Sequence, residues 1–385
     1  MTVIGAPWYL AKHYPTAHVL GTVMIVTAAV NLVFGPYAGA LIDRHKRRTI
    51  LMAENIAGFV GLSAMAALGL FGEYSLYAVA GIYIFTVMIF NVHFPATFAL
   101  AQESFPRAWY GRISGLLEVI TQTAAIVAGG LTGMILESFG LPLVFAIDAI
   151  TYVFAFAMIA GFRYDAVVGV NAAVPQFMNE MRTAVRYLRS RPHFTMLNIA
   201  LYLPFVVLIT IDVIHPFYVQ RSLHAQANVY SLIEGFYAVG ATAAGLWMRR
   251  IAGNVGDRAA YISAFLLFTG ALCVMAAVPM TGLALGAMVG VGWANAGIRV
   301  NRVSFVMHEV PPALIGRVNT FFNWIGLVIR GAVLLVLTWA IDAWGPQWSY
   351  AFEALLIVLA LLLYLQQERP AAREHEARGA LVTDP

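Results

Sequence analysis

Apolar runs of about twenty residues, separated by short polar connections, recur along the whole of this 385-residue chain. They lie near 24–42, 50–71, 75–101, 110–136, 141–162, 195–218, 228–248, 259–279, 282–306, 315–341 and 347–366. A helix rises about 1.5 Å per residue and the hydrocarbon core of a bilayer is about 30 Å thick, so each run is long enough to cross it. Backbone groups in lipid must be satisfied within the segment. The pattern therefore predicts an all-α integral membrane protein with eleven full spans. Residues 2–11, ahead of the first run, are apolar but too short to cross.

Shifted against itself by 205 residues, the chain brings its punctuation into register. Pro106 falls on Pro311, Gly111-Arg112 on Gly316-Arg317, Gly140 on Gly345, Gly35 on Gly240 and Arg44 on Arg249. Glu137 meets Asp342, and Asp148 meets Glu353. Helix breakers and intramembrane charges do not align at one ungapped offset by chance, so the halves read as parallel repeats about an axis along the membrane normal. Residues 1–12 match only 206–217, the outer part of the helix that begins near 195. The first helix is accordingly expected to be truncated here, through a shortened or misassigned start, in a protein of twelve helices.

The expected organisation is an N-terminal helical bundle at 1–162, a cytoplasmic linker at 163–194, a C-terminal helical bundle at 195–366 and a disordered cytoplasmic tail at 367–385. In the linker, Phe177, Met181, Ala184 and Leu188 share one helical face, and Arg182, Arg186 and Arg189 another. That amphipathic pattern suggests a helix resting on the lipid surface, with a plain solvated linker as the alternative. Gly35/Gly39, Gly129/Gly133 and Gly286/Gly290 have the spacing that lets membrane helices approach closely.

Composition agrees: 61% of residues are hydrophobic and 11% charged, and the mean hydropathy is +0.78. The net charge of +4 sits on alternate connections, at Arg44 to Arg48, Arg107 and Arg112, Arg163 to Arg191, Arg249 to Arg258, Arg317, and Arg369 to Arg378. The positive-inside rule makes those connections cytoplasmic, and the charge then reports topology and not nucleic-acid binding. A nucleotide-binding Gly-x-x-x-x-Gly-Lys-Ser/Thr loop is absent from the sequence, which excludes a self-contained primary pump. His308-Glu309 lacks the second His of a zinc-protease helix, so no metal, cofactor or enzymatic activity is expected. The lone Cys273 excludes an intramolecular disulfide.

The most specific local motif runs from Gly35 through Gly39, Asp43 and Arg44 to Arg47 and Arg48. It resembles the signature loop of the major facilitator superfamily, Gly-x-x-x-Asp-Arg-x-Gly-Arg-Arg, departing from it at Lys46 where the family has Gly. A carboxylate there can face a helix N-terminus and act as a latch of the gate. Phe94-Pro95-Ala96, Pro106 with Gly111-Arg112, Ile147-Asp148-Ala149 and the linker run from Ala184 to Pro192 resemble a narrower branch. That branch is the drug:proton antiporter group, which includes macrolide efflux proteins and enterobactin exporters. The resemblance implies two pseudo-symmetric six-helix bundles in a bacterial inner membrane. It further implies export of an amphiphilic small molecule, a drug, macrolide or siderophore, in exchange for protons by alternating access. A lipid or lysolipid translocator of the same fold, and a non-transporting or inactive homologue, are the alternatives. A monomer surrounded by lipid is expected.

Ionisable residues inside spans are costly and point to function. Asp212, Glu234 and Arg330 are candidates for proton coupling or for lining the substrate cavity, with a permanent structural salt bridge as the alternative. Glu118, Asn91, His93 and Arg299 are candidates for the same cavity, with His93 as a proton relay. Asp148 and Glu353 occupy equivalent places in the two halves and read as structural acids. His215 reads as an interfacial residue.

Overall fold

The computed structural model describes residues 1–106, 109–162 and 177–383. Every regular element among them is helical: α1 (Thr2–His13), α2 (Ala17–Arg44), α3 (Arg47–Leu68), α4 (Leu76–Ser104), α5 (Tyr110–Gly161), α6 (Phe177–Arg189), α7 (Pro192–Arg221), α8 (Ala227–Val255), α9 (Asp257–Ala277), α10 (Thr281–Glu309), α11 (Pro312–Ala343) and α12 (Pro346–Thr383). Ten helical segments among the described residues are long and apolar enough to cross a membrane. The longest, Val119–Gly161, has 43 residues and is broken at Gly140. At about 1.5 Å per residue it is twice the length one crossing needs, so α5 is two spans, 110–139 and 141–161.

The break is a glycine feature. Gly140 has φ 76° and ψ −178°, a region that side chains with a Cβ occupy only under strain. Gly345, its equivalent at the 205-residue offset, has φ 92° in the turn between α11 and α12. The duplication read from the sequence thus extends to the backbone.

The chain divides into two compact units, Met1–Pro175 with His224–Gly235, and Gln176–Leu223 with Phe236–Pro385. In the first, α3 packs along α5, α4 contacts α2 and α3, and the short α1 packs on α4 and α5. Ala38, Ile42, Ile50, Leu51, Val92 and Ala96 form a core between α2, α3 and α4. A Cβ added at Gly133 would stand 2.3 Å from the Ala227 carbonyl oxygen, and one at Gly129 2.6 Å from the Gly235 nitrogen. This glycine pair gives the backbone contact its spacing suggests, whereas Gly35, Gly39 and Gly286 face open space. Glu137 Oε1 accepts the Asn228 N–H at 2.9 Å, satisfying a donor at the start of α8.

In the second unit α7 is the central helix, packed by α12, α11 and α10, with α9 against α10 and α12. Pro204 removes one backbone donor from α7, and the Asn295 amide of α10 donates to the Pro204 carbonyl at 2.9 Å. Phe194, Tyr202, Val206, Val306, Val310, Val318 and Phe322 form the core nearest the basic connections.

On α6, Ala184 and Leu188 are buried, Leu188 within that same protein core, while Arg182, Arg186 and Arg189 are exposed. The helix contacts α11 and α7. One sequence expectation requires correction. The tail expected to be disordered from 367 is helical through Thr383. Ala, Glu and Arg dominate this stretch and favour helix, and Glu368 pairs with Arg258 at 2.8 Å while His193 and Gln367 bond at 2.8 Å.

Candidate functional site

The loop after α2 ties three helix ends of the first unit together. Arg47, at the start of α3, pairs with Glu103 near the end of α4 at 3.2 Å. Arg48 donates to the Ile159 carbonyl at 3.1 Å and to the Ala160 carbonyl. Those carbonyls belong to the last turn of α5, the negative pole of that helix, and the Ile159 carbonyl also accepts the Phe162 N–H at 3.2 Å. His45 and Lys46 take ordinary extended angles, φ −118° and −60°, so the turn does not need glycine at position 46. Arg44 is exposed, and the side chains of Asp43 and Glu118 lie outside the described residues.

Deeper in the unit, α3 and α4 bring an acid and an imidazole together inside the span. Glu54 lies seven residues into α3, about 10 Å by helical rise. His93 Nδ1 stands 2.5 Å from Glu54 Oε1, with side-chain exposures of 45% for His93 and 6% for Glu54. The imidazole is the more exposed partner of the pair and the carboxylate the buried one. Glu54 Oε2 is buried and has no hydrogen-bond partner among the described residues. His93 Nε2 faces Thr97 Oγ1 at 3.5 Å. Nearby, Asn91 donates to Asn31 at 2.7 Å, joining α4 to α2. Glu54 also lines a groove of about 410 Å³ between α2, α3 and α4, whose other walls include Phe34, Leu41, Ile50, Ala57, Phe85 and Val92.

The second unit has its own intramembrane charges. Glu353 is fully buried and accepts from Thr210 Oγ1 of α7 at 2.7 Å. Its repeat equivalent Asp148 accepts from Thr2 Oγ1 of α1 at 2.6 Å. Both acids thus bond a threonine hydroxyl on the first helix of their repeat. Arg302 of α10 is buried, its guanidinium 4.6 Å from the centre of the Tyr202 ring and 5.4 Å from that of Phe322. At the ends of the spans, Arg191 donates to the Glu309 carbonyl at 2.9 Å, to Glu309 Oε2 at 2.7 Å and to Tyr187 Oη at 3.0 Å. Burial works against the Arg191 charge, but the bonds to Glu309 and Tyr187 outweigh it and raise its pKa.

The sequence profile of the Major Facilitator Superfamily matches residues 1–224 and again residues 210–384. The chain belongs to the Major Facilitator Superfamily. Among curated relatives, this facilitator is 23% identical to macrolide efflux protein A of Streptococcus pyogenes over 277 residues, 71% of this chain and 68% of the relative. It is 22% identical to macrolide efflux protein A of Enterococcus faecalis over 270 residues, 68% of this chain and 83% of the relative. Among solved structures, it resembles a mutant of the nucleoside transporter NupG with a TM-score of 0.73 at 13% identity, covering 95% of this chain and 94% of that one. A bacterial homologue of the human lysosomal transporter Spinster gives 0.70 at 12% identity, covering 97% and 94%. These structural likenesses establish the fold.

Of the polar residues singled out by sequence in this facilitator, Asp212, on α7, and Arg330, on α11, are half-buried in the second unit. Glu234 is half-buried on α8, in the stretch that clusters with the first unit. Arg299 is half-buried on α10, and His215 is buried at 1% exposure instead of lying at an interface. His93 gains a partner that sequence reasoning missed, Glu54, and Arg302 was missed as well. Both lie inside apolar runs, so the rule that flagged Asp212 and Arg330 would have found them.

Proposed function

We propose that this facilitator exports an amphiphilic small molecule across a bacterial cytoplasmic membrane in exchange for protons, working as a monomer by alternating access, with its basic connections in the cytoplasm. The observation that supports the proton coupling is the Glu54–His93 pair, an acid buried inside a span and in contact with a more exposed imidazole. Coupling requires a group inside the spans that gains and loses one proton during the transport cycle. The macrolide efflux relatives support the direction of transport and the amphiphilic cargo. Asp212, Glu234 and Arg330 are proposed to complete the coupling and cavity residues in other helices. Gly39, Asp43, Arg44, Arg47 and Arg48 are proposed as the cytoplasmic latch, consistent with the bonds of Arg47 and Arg48 to the ends of α4 and α5.

Proteoliposomes holding the purified protein provide the test. A macrolide should accumulate on the acidic side of an imposed pH gradient, and collapsing that gradient with nigericin should stop accumulation. Transport that is indifferent to the gradient would refute proton coupling.

A further inference from the structure

We propose that Arg302 of α10 anchors a small-anion site in the second unit, one that takes chloride or another weakly hydrated monovalent anion.

Arg302 lies seven residues before the end of α10, about 10 Å inside it by helical rise. It is 8% exposed, and its Nε and Nη2 are buried without a hydrogen-bond partner among the described residues. The Tyr202 ring of α7 and the Phe322 ring of α11 lie against the guanidinium, within the core that also holds Val306 and Val318. Contact with two rings returns part of the cost of burying a guanidinium. It does not balance the charge, and the donors along the guanidinium edge still lack an acceptor.

No described carboxylate pairs with Arg302. Glu309, further along the same helix, is engaged by Arg191, and Glu368 by Arg258. The titratable groups that act on Arg302 are Tyr202 and Tyr261, both phenols. A buried lysine or carboxylic acid could become neutral by moving a proton, but an arginine keeps its own. An anion is what neutralises it.

The surroundings select that anion. One guanidinium carries one positive charge, so a monovalent anion restores neutrality and a dianion overshoots it. Nε–H and an Nη2–H lie side by side on one edge, a fork that one anion can bridge. Tyr202, Phe322, Val306 and Val318 offer little in exchange for lost hydration, which favours anions that shed water easily. Bromide and nitrate should therefore bind at least as well as chloride.

Tyr202 controls access. In this structure both donors are shut off from solvent. Tyr202 Oη donates to Asn323 Oδ1 at 2.9 Å, tying α7 to α11, and Asn323 is exposed. Release of that bond lets the ring turn away from the guanidinium and uncovers the fork. The anion binds the uncovered arrangement and shifts the population toward it.

The test uses the purified full-length protein and chloride-35 NMR, in which chloride exchanging with a protein site broadens the bulk signal. Wild type should give saturable broadening that bromide and nitrate remove and gluconate does not. Arg302→Met, unbranched and uncharged, should lose that saturable part. Arg302→Lys, which keeps the charge without the fork, should bind at least about tenfold more weakly. Asn323→Ala, which frees Tyr202, should bind more tightly than wild type. Thermal unfolding at fixed ionic strength is the second readout: chloride at about ten times its half-saturating concentration favours the folded wild type by about elevenfold over gluconate, and should leave Arg302→Met unmoved. A wild type without saturable, bromide-competed broadening overturns the assignment, as does full retention of that broadening in Arg302→Met. Should Arg302→Met fail to fold, undiminished chloride affinity in Arg302→Lys overturns it equally.

Discussion

Replacing Arg191 by Ala should release α6 from the second unit, and the structure gives the size of the effect. The pair with Glu309 is shielded, with side-chain exposures of 4% for Arg191 and 13% for Glu309. Removing one partner of such a pair costs about 3–5 kcal/mol, because the other is left buried without its charge. Arg191 additionally holds the Glu309 carbonyl and Tyr187, and its guanidinium lies 4.6 Å from the centre of the Phe194 ring. Glu309→Gln keeps that carbonyl and a neutral acceptor, so it should cost less, about 1.5–3 kcal/mol for a hydrogen bond to a charged group. Hydrogen–deuterium exchange of α6 reads this local opening directly. At 1.36 kcal/mol per factor of ten, protection in Arg191→Ala should fall by between about 150-fold and about 5,000-fold. In the double variant the loss should be smaller than in Arg191→Ala alone, since Glu309→Gln removes the carboxylate that Arg191→Ala leaves buried without its partner. If both single variants lowered protection equally and by less than about fivefold, the pair would be behaving as a surface ion pair worth about 0–1 kcal/mol. The apolar contacts of Ala184 and Leu188 would then carry the docking.

Two further outcomes follow from packing and hydrogen bonding. Gly133→Leu should abolish folded yield, measured by size-exclusion chromatography, because its Cβ would stand 2.3 Å from the backbone oxygen of Ala227, whereas Gly130→Ala, whose Cβ meets nothing within 4 Å, should be tolerated. Thr210→Val should destabilise the second unit by about 1–3 kcal/mol by stripping buried Glu353 of its 2.7 Å donor, and Thr210→Ser should largely restore stability in thermal unfolding.

The architecture was legible because membrane helices obey few rules. Length and hydropathy placed the spans, and the 205-residue offset placed the two glycine turns, since Gly140 and Gly345 are demanded by backbone angles that few other residues adopt. What lay hidden was partnership. The amphipathic pattern of α6 is the same whether its apolar face meets lipid or protein, and only the fold puts Leu188 against Val310 and Val318. The sequence drew attention to His93, but its acid lies 39 residues away on α3. No periodicity within either helix announces that pairing. The helix from 367 to Thr383 was masked by polarity, because a charged, apolar-poor stretch reads as disorder unless contacts such as Arg258 to Glu368 anchor it.

The corner at Gly140 also bears on how this protein is made. Its two arms, 110–139 and 141–161, meet at a single residue, so there is no polar loop for the insertion machinery to carry across between them. Joint insertion of the two arms as a hairpin is the expected outcome, and α11 and α12, joined at Trp344 and Gly345, share the same tight connection. A glycosylation acceptor or epitope placed at either corner would therefore test biogenesis more sharply than it reports topology, because lengthening the turn uncouples two insertion events that the native backbone makes one.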